Sequence, residues 1–450
     1  MVKKTFILLL TLTLLLPLFG CAPTQSQPAG ASSPSAGTSA PTTLPTALPT
    51  TLPTTQPTTA PTTLLTTAPT LPTTAPTQPP VDTDSLWVPI CQEYINLRAT
   101  PGGTLIGTVQ ANETVTIKGW YGKYALVACG DKQGYVLSSY LKPAATDYLT
   151  KRLKVVTLTD TYSYEQMLQD LSALQVRYPS TVRVASIGNS ELGRRIPVLQ
   201  LGNANAKYHV LLQGAMHARE HFTACLLMAM TDRALSQGIP SDVCYHIIPM
   251  SNPDGVVISQ TGVLDSTQNA IYQQDLTAGY TTYNPITYAQ QWKANALGVD
   301  LNRNFASGWA ASLERPNPSC QKYRGSEAFC AAESRALRDY TLQYNFAATL
   351  SFHSSGSVIY YQYGNRQPVN RLSYSLALAA EAVTGYTPLS SDGTSGAGYK
   401  DWAMDALGIP SLTLEIGCYD SPVLQQEIYN TFARFEDFLP AINTWLRQNA

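Results

Sequence analysis

The sequence predicts an α/β fold with a mostly buried sheet, preceded by a small all-β barrel and a disordered linker. Three observations carry that expectation. Strand-like and helical stretches alternate from Tyr148 to Ala450. Short strands separated by turn residues fill the region from Ser85 to Pro143. Thr, Pro and Ala crowd the region before it. The 450-residue length holds two folded domains besides non-globular sequence, at ~100–200 residues per domain.

The chain begins with Lys3 and Lys4, then the apolar run Phe6 to Phe19, then Gly20-Cys21. A charged start and a short apolar run read as an export signal over residues 1–20, the run falling below the ~18 residues of a spanning helix. Leu18-Phe19-Gly20-Cys21 resembles the bacterial lipoprotein signal, which implies a lipid on the Cys21 thiol and attachment to the outer face of a membrane. The alternative is an ordinary cleaved signal in which Cys21 is incidental. Residues 21–84 carry repeats such as Leu-Pro-Thr-Thr, with too little apolar surface to offset the entropy of ordering. They are expected to form an extended spacer.

Residues 85–143 are expected to form the barrel. Strands are placed at Tyr94–Arg98, Leu105–Val109, Thr114–Ile117, Tyr124–Val127 and Gly134–Leu137. Asn96-Leu97-Arg98, Pro101-Gly102-Gly103, Gly134-Tyr135-Val136 and Tyr140-Leu141 resemble the bacterial Src-homology-3-like domain. That resemblance implies either binding to cell-wall material or a spacer without a ligand.

Residues 148–450 carry the α/β pattern. Helices are expected over Tyr164–Tyr178, Phe222–Leu235 and Ser373–Thr384. Strands are expected over Arg183–Ala185, Pro197–Leu201, Tyr208–Gln213, Ala347–Phe352 and Ser411–Ile416.

The net charge of −1 gives no basic surface for nucleic acid, and nothing in the sequence calls for a protein partner. Cysteine usage suits an exported chain. Cys91 with Cys129 and Cys320 with Cys330 are disulfide candidates, while Cys225, Cys244 and Cys418 read equally well as core thiols.

Only 5 histidines are present, so their positions carry information. The strand Tyr208–Gln213 runs into His217-Ala218-Arg219-Glu220, where an imidazole and a carboxylate three apart reach one ion. His353 and Glu415 each lie at the end of a buried strand. Ligand crevices of α/β sheets lie at the carboxyl ends of strands, so the three segments converge on one edge. Two His and one Glu with a fourth position open to water make a catalytic zinc pattern. His221 reads as pocket-lining or surface, and His209 and His246 show no ligand spacing.

His217-Ala218-Arg219-Glu220, Asn252-Pro253-Asp254-Gly255, Gly298-Val299-Asp300-Leu301-Asn302-Arg303-Asn304-Phe305, Ser351-Phe352-His353-Ser354 and Thr413-Leu414-Glu415 resemble the zinc carboxypeptidase family, in order. The resemblance implies a single mixed-sheet α/β domain with one zinc ion on His217, Glu220 and His353. It further implies Glu415 as general base, Asn302 and Arg303 as holders of a substrate carboxylate, and Arg219 as a substrate contact. Zinc lowers the pKa of its bound water, and a guanidinium suits bidentate carboxylate recognition.

Two positions depart from the digestive members. Lys293, in Trp292-Lys293-Ala294-Asn295, stands where the family places an oxyanion-stabilising Arg, and either keeps that role as a point charge or is simply solvated. Met404 stands where a mobile Tyr is common. The segments Trp292–Asn295 and Gly398–Trp402 are similar to the bacterial branch that cleaves γ-D-glutamyl-diaminopimelate bonds of peptidoglycan stem peptides. The expected activity is therefore stem-peptide hydrolysis. A general metallocarboxypeptidase and a non-catalytic wall-binding lipoprotein are the alternatives.

Overall fold

The computed structural model describes residues 86–390 and 396–450, so the expected signal, the Cys21 anchor and the linker lie outside the described residues. Residues 86–143 form seven strands: β1 (Leu86–Pro89), β2 (Tyr94–Arg98), β3 (Leu105–Gln110), β4 (Val115–Tyr121), β5 (Tyr124–Cys129), β6 (Lys132–Leu137) and β7 (Leu141–Pro143). They pair antiparallel in the order β3-β2-β6-β5-β4-β1-β7. The sequence pattern reveals five of them. β1 and β7 end at Pro89 and Pro143 and are too short for alternation to register.

The larger sheet contains β8 (Val182–Asn189), β9 (Arg195–Gly202), β10 (Tyr208–Gln213), β11 (Val243–Ile248), β12 (Phe346–Ser354), β13 (Val358–Tyr360), β14 (Thr387–Leu389) and β15 (Ser411–Ile416). Its order is β14-β13-β15-β12-β10-β11-β9-β8. The central four, β15-β12-β10-β11, run parallel, and β9 and β13 flank them antiparallel. The sheet is therefore mixed, as expected.

Side chains alternate across this sheet. Val210 and Leu212 of β10 join one core with the helices Phe222–Gln237, Val369–Thr384 and Phe438–Asn449, whereas Leu211 joins the opposite core with Ala332–Thr341 and Tyr399–Leu407. Helices thus cover both faces, so β10 and β11 are buried along almost their whole length.

The small sheet shares the first of these cores, with Trp87, Trp120, Phe432 and Phe435 in one cluster. Gly122 N donates to Gly385 O at 2.6 Å across the junction. The buried Arg434 donates to Thr384 O at 2.7 Å and to Ser138 Oγ at 3.0 Å, and packs 4.5 Å from the Trp120 ring.

The disulfide candidates require correction. All seven described cysteines are free thiols. Cys330 Sγ instead accepts from Asn304 Nδ2 at 3.2 Å, and the Cys320 thiol is buried beside Tyr288. Cys91 and Cys129 pack against the core as apolar side chains.

Candidate metal centre

Strand β10 ends at Gln213, and the chain then turns sharply through Gly214 and Ala215. A Cβ on Gly214 would stand 2.9 Å from Leu227 Cδ1 and 3.0 Å from Pro249 O, so only glycine fits that approach. The turn is pinned by Asn252, whose Nδ2 donates to Met216 O at 3.1 Å and to Ala294 O at 2.9 Å. His217 and Glu220 follow, with Glu220 in the short turn Ala218–Glu220 ahead of the helix Phe222–Gln237.

His353 of β12 and Glu415 of β15 are register partners on adjacent parallel strands. The structure brings His217, Glu220 and His353 together, all buried. His217 Nδ1 lies 2.9 Å from Glu220 Oε1, His353 Nδ1 lies 3.0 Å from Glu220 Oε2, and the two Nδ1 atoms are 3.2 Å apart. The other side of the His217 ring is taken by Asp300, with Nε2 3.1 Å from Oδ1.

That arrangement tests the fit to a cation. A proton on His217 Nε2 satisfies Asp300 and leaves the Nδ1 lone pair facing Glu220 and His353. Two imidazole nitrogens and a carboxylate converging at these separations form a three-ligand set of the catalytic zinc type.

Asp300 acts through position. Its Oδ1 also accepts from Asn302 N at 3.1 Å and its Oδ2 from Lys322 N at 2.8 Å. Burial works to raise its pKa, but His217, then the Arg303 charge and the Lys322 amide, outweigh it and hold the carboxyl well below the ordinary range. For His217, burial works against the charged form, yet Glu220 and Asp300 carry its pKa upward. Burial lowers that of His353. The Glu415 carboxyl, near the end of β15, is pushed up to about 8 by burial and then by the Glu220 charge.

Lys293 belongs to this centre. Its Nζ lies 3.1 Å from Glu220 Oε1, because backbone bonds from Ala218 N to Lys293 O and from Arg219 N to Trp292 O zip its loop to the ligand turn. The fully buried Trp292 anchors that loop against Tyr288. The Lys293 side chain is 20% exposed and ion-paired with the ligand carboxylate.

The other residues are placed as follows. Arg219 Nη1 bonds Gln291 Oε1. Asn302 Oδ1 accepts from Tyr399 N at 3.3 Å, where the helix Tyr399–Leu407 begins. Arg303 does not stand free, since its Nε is 3.2 Å from Glu314 Oε1 and its Nη1 donates to Asn302 O at 3.1 Å. Met404 is buried, with the Lys400 ammonium 3.9 Å from its sulfur and 2.6 Å from Asp401 Oδ1. His221 is buried and outside the ligand set.

The zinc carboxypeptidase family model matches residues 167–442. The chain is a member of the zinc carboxypeptidase family. It is 30% identical over 285 residues to "Gamma-D-glutamyl-L-diamino acid endopeptidase 1" of Lysinibacillus sphaericus, covering 60% of this chain and 69% of that one. It is 26% identical to carboxypeptidase B of Astacus astacus, over 57% of this chain and 86% of that one. Its fold is similar to carboxypeptidase A from Helicoverpa armigera, with a TM-score of 0.52, 19% identity and coverage of 73% and 92%. Zinc carboxypeptidases are metallohydrolases that take one zinc ion, and this protein is such an enzyme.

Proposed function

We propose that the protein hydrolyses peptidoglycan stem peptides at the γ-D-glutamyl-meso-diaminopimelate bond. The observation that carries this reading is the 30% identity to a γ-D-glutamyl-L-diamino acid endopeptidase. Two local features accompany it. A lysine, not an arginine, faces the ligand carboxylate, and the Met404 position is buried under the Lys400–Asp401 pair.

In this reading His217, Glu220 and His353 hold the zinc ion. The ion, when bound, lowers the pKa of an attacking water toward 7 and polarises the scissile carbonyl. Glu415, the register partner of His353 on the adjacent strand, would take the proton of that water and deliver it to the leaving amine. Lys293, whose ammonium stands 3.1 Å from Glu220 Oε1, would offer its charge to the oxyanion that develops on the scissile carbonyl. Asn302 and Arg303 hold a carboxylate of the substrate, Arg303 exchanging Glu314 for it, and Arg219 contacts the peptide.

The membrane and wall assignments belong to the same proposal. A lipid on Cys21 tethers the enzyme to the outer face of the membrane, and the spacer over 21–84 gives it reach. The small β domain adds contact with wall material and raises the local concentration of substrate.

The deciding experiment incubates the purified protein with L-Ala-γ-D-Glu-meso-diaminopimelate and, separately, with ordinary peptides of varied C-terminal residue, and reads the products by mass spectrometry. Chelator-sensitive release of diaminopimelate with little action on ordinary peptides is expected. Release of ordinary C-terminal residues with the murein peptide untouched overturns the proposal and leaves a general carboxypeptidase.

A further inference from the structure

We infer that His209, Cys244 and His246 form a second metal site for one zinc-class cation, separate from the catalytic centre. Histidines are scarce in this chain, and four of the 5 fall into two clusters, His217 with His353 and His209 with His246. Among the described residues these two clusters are the groups of three or more donor side chains whose ligand atoms all lie within 4.8 Å of one another.

The second cluster follows from strand register. His209 and Cys244 are directly opposed on the parallel strands β10 and β11, and His246 lies two residues beyond Cys244 on the same face. His209 Nδ1 is 2.9 Å from His246 Nε2, close to the 3.2 Å between the two imidazoles of the catalytic ligand set. Two imidazoles and a thiolate suit zinc, and three protein ligands leave a fourth position for water.

Surrounding groups orient the ligands as a metal site requires. Tyr340 OH lies 2.7 Å from His246 Nδ1, a partner that can accept a proton held there and so leave the Nε2 lone pair for the ion beside His209 and Cys244. Gln200 Nε2 donates to Tyr340 OH at 3.2 Å and to Tyr344 OH at 2.8 Å, holding both phenols in place. The rings of Tyr344 and Phe346 pack on His246 with centroids 4.4 Å and 5.0 Å away. Cys244 and His246 are fully buried, whereas His209 is partly exposed and gives the ion its way in from solvent. On binding, the Cys244 sulfur loses its proton to solvent as the metal–sulfur bond forms. The proton of His209 Nδ1 passes through water to Nε2.

The site joins β10 and β11 near their first residues, while the catalytic ligands follow the last residues of β10. It would therefore stiffen, from the opposite edge, a strand that carries the catalytic turn.

Titration of the full-length protein, loaded with one equivalent of zinc for its catalytic centre and freed of excess metal, with Co2+ tests this, read by the thiolate-to-cobalt charge-transfer band in the near ultraviolet. The catalytic set contains no thiolate and contributes no such band. One equivalent of cobalt is expected to produce the band, Zn2+ to remove it, and Cys244→Ser to abolish it while Cys418→Ser retains it. His209→Asn, at the exposed edge, is expected to weaken cobalt binding about tenfold or more without changing kcat/KM on peptide. Absence of the band in the unaltered protein, or its persistence in Cys244→Ser, overturns the proposal. The unaltered protein gives the answer even if Cys244→Ser does not fold.

Discussion

The Asp300 carboxylate meets His217 Nε2 at 3.1 Å, on the far side of the ring from Glu220 and His353. It therefore decides which imidazole nitrogen carries the proton and which keeps a lone pair for the ion. Asp300→Asn is expected to weaken zinc affinity by about 10–100-fold, measured by competition with a chromogenic chelator. An unchanged affinity would mean that Asp300 only holds its loop through Asn302 N and Lys322 N.

Lys293 tests the oxyanion assignment. Lys293→Met removes a cation 3.1 Å from the ligand carboxylate and is expected to lower kcat by about 10²–10³ in the zinc-loaded enzyme, with a smaller change in KM. Lys293→Arg keeps the charge and should recover most of that loss. If the Met variant instead loses zinc and regains full kcat on reloading, the lysine serves the ligand and not the transition state.

Glu415 gives the metal-free protein a specific pH dependence. Its folded pKa of about 8 lies above the ordinary 4.5, so between those values the folded chain binds a proton that the unfolded chain has lost. Stability attributable to this group is full below the lower value and falls as pH rises toward the upper one. Glu415→Gln is expected to be inactive when zinc-loaded and, in its metal-free form, lacks that titration. Its melting temperature should rise relative to the unaltered protein as pH increases through this window. A constant gap between the two melting curves would show that burial and Glu220 do not act on Glu415 as the geometry requires.

Much of the catalytic site was legible because strands buried on both faces are written as apolar runs with a polar residue at the end. Leu350-Ser351-Phe352-His353 and Leu412-Thr413-Leu414-Glu415 place a ligand and a carboxylate at one sheet edge without any knowledge of the fold. Asp300 escaped, since a buried aspartate in a loop declares its partner only once Lys322 N and His217 converge on it. Strand β11 escaped too: Val243-Cys244-Tyr245-His246-Ile247-Ile248 carries polar atoms on both faces. His209 and His246 accordingly showed no spacing, because the pattern joining them is the parallel register of two strands and not a separation along the chain. Cysteine spacing pointed to disulfides where the structure has packed thiols, since spacing alone does not report where each sulfur faces.

Arg434 is the position where the small β domain and the catalytic domain share one set of polar contacts. Its guanidinium satisfies the carbonyl of Thr384, at the end of the helix Val369–Thr384, and the hydroxyl of Ser138, while stacking near Trp120. Truncation to Met keeps the apolar stem but strands buried acceptors on both sides of the junction, a loss on the order of 3 kcal/mol. Calorimetry of zinc-loaded Arg434→Met is expected to show a lowered first transition in which the small domain separates, with peptidase activity retained below it. A single transition at the original midpoint would mean that the shared apolar cluster around Trp87, Trp120, Phe432 and Phe435 holds the two domains together without the arginine.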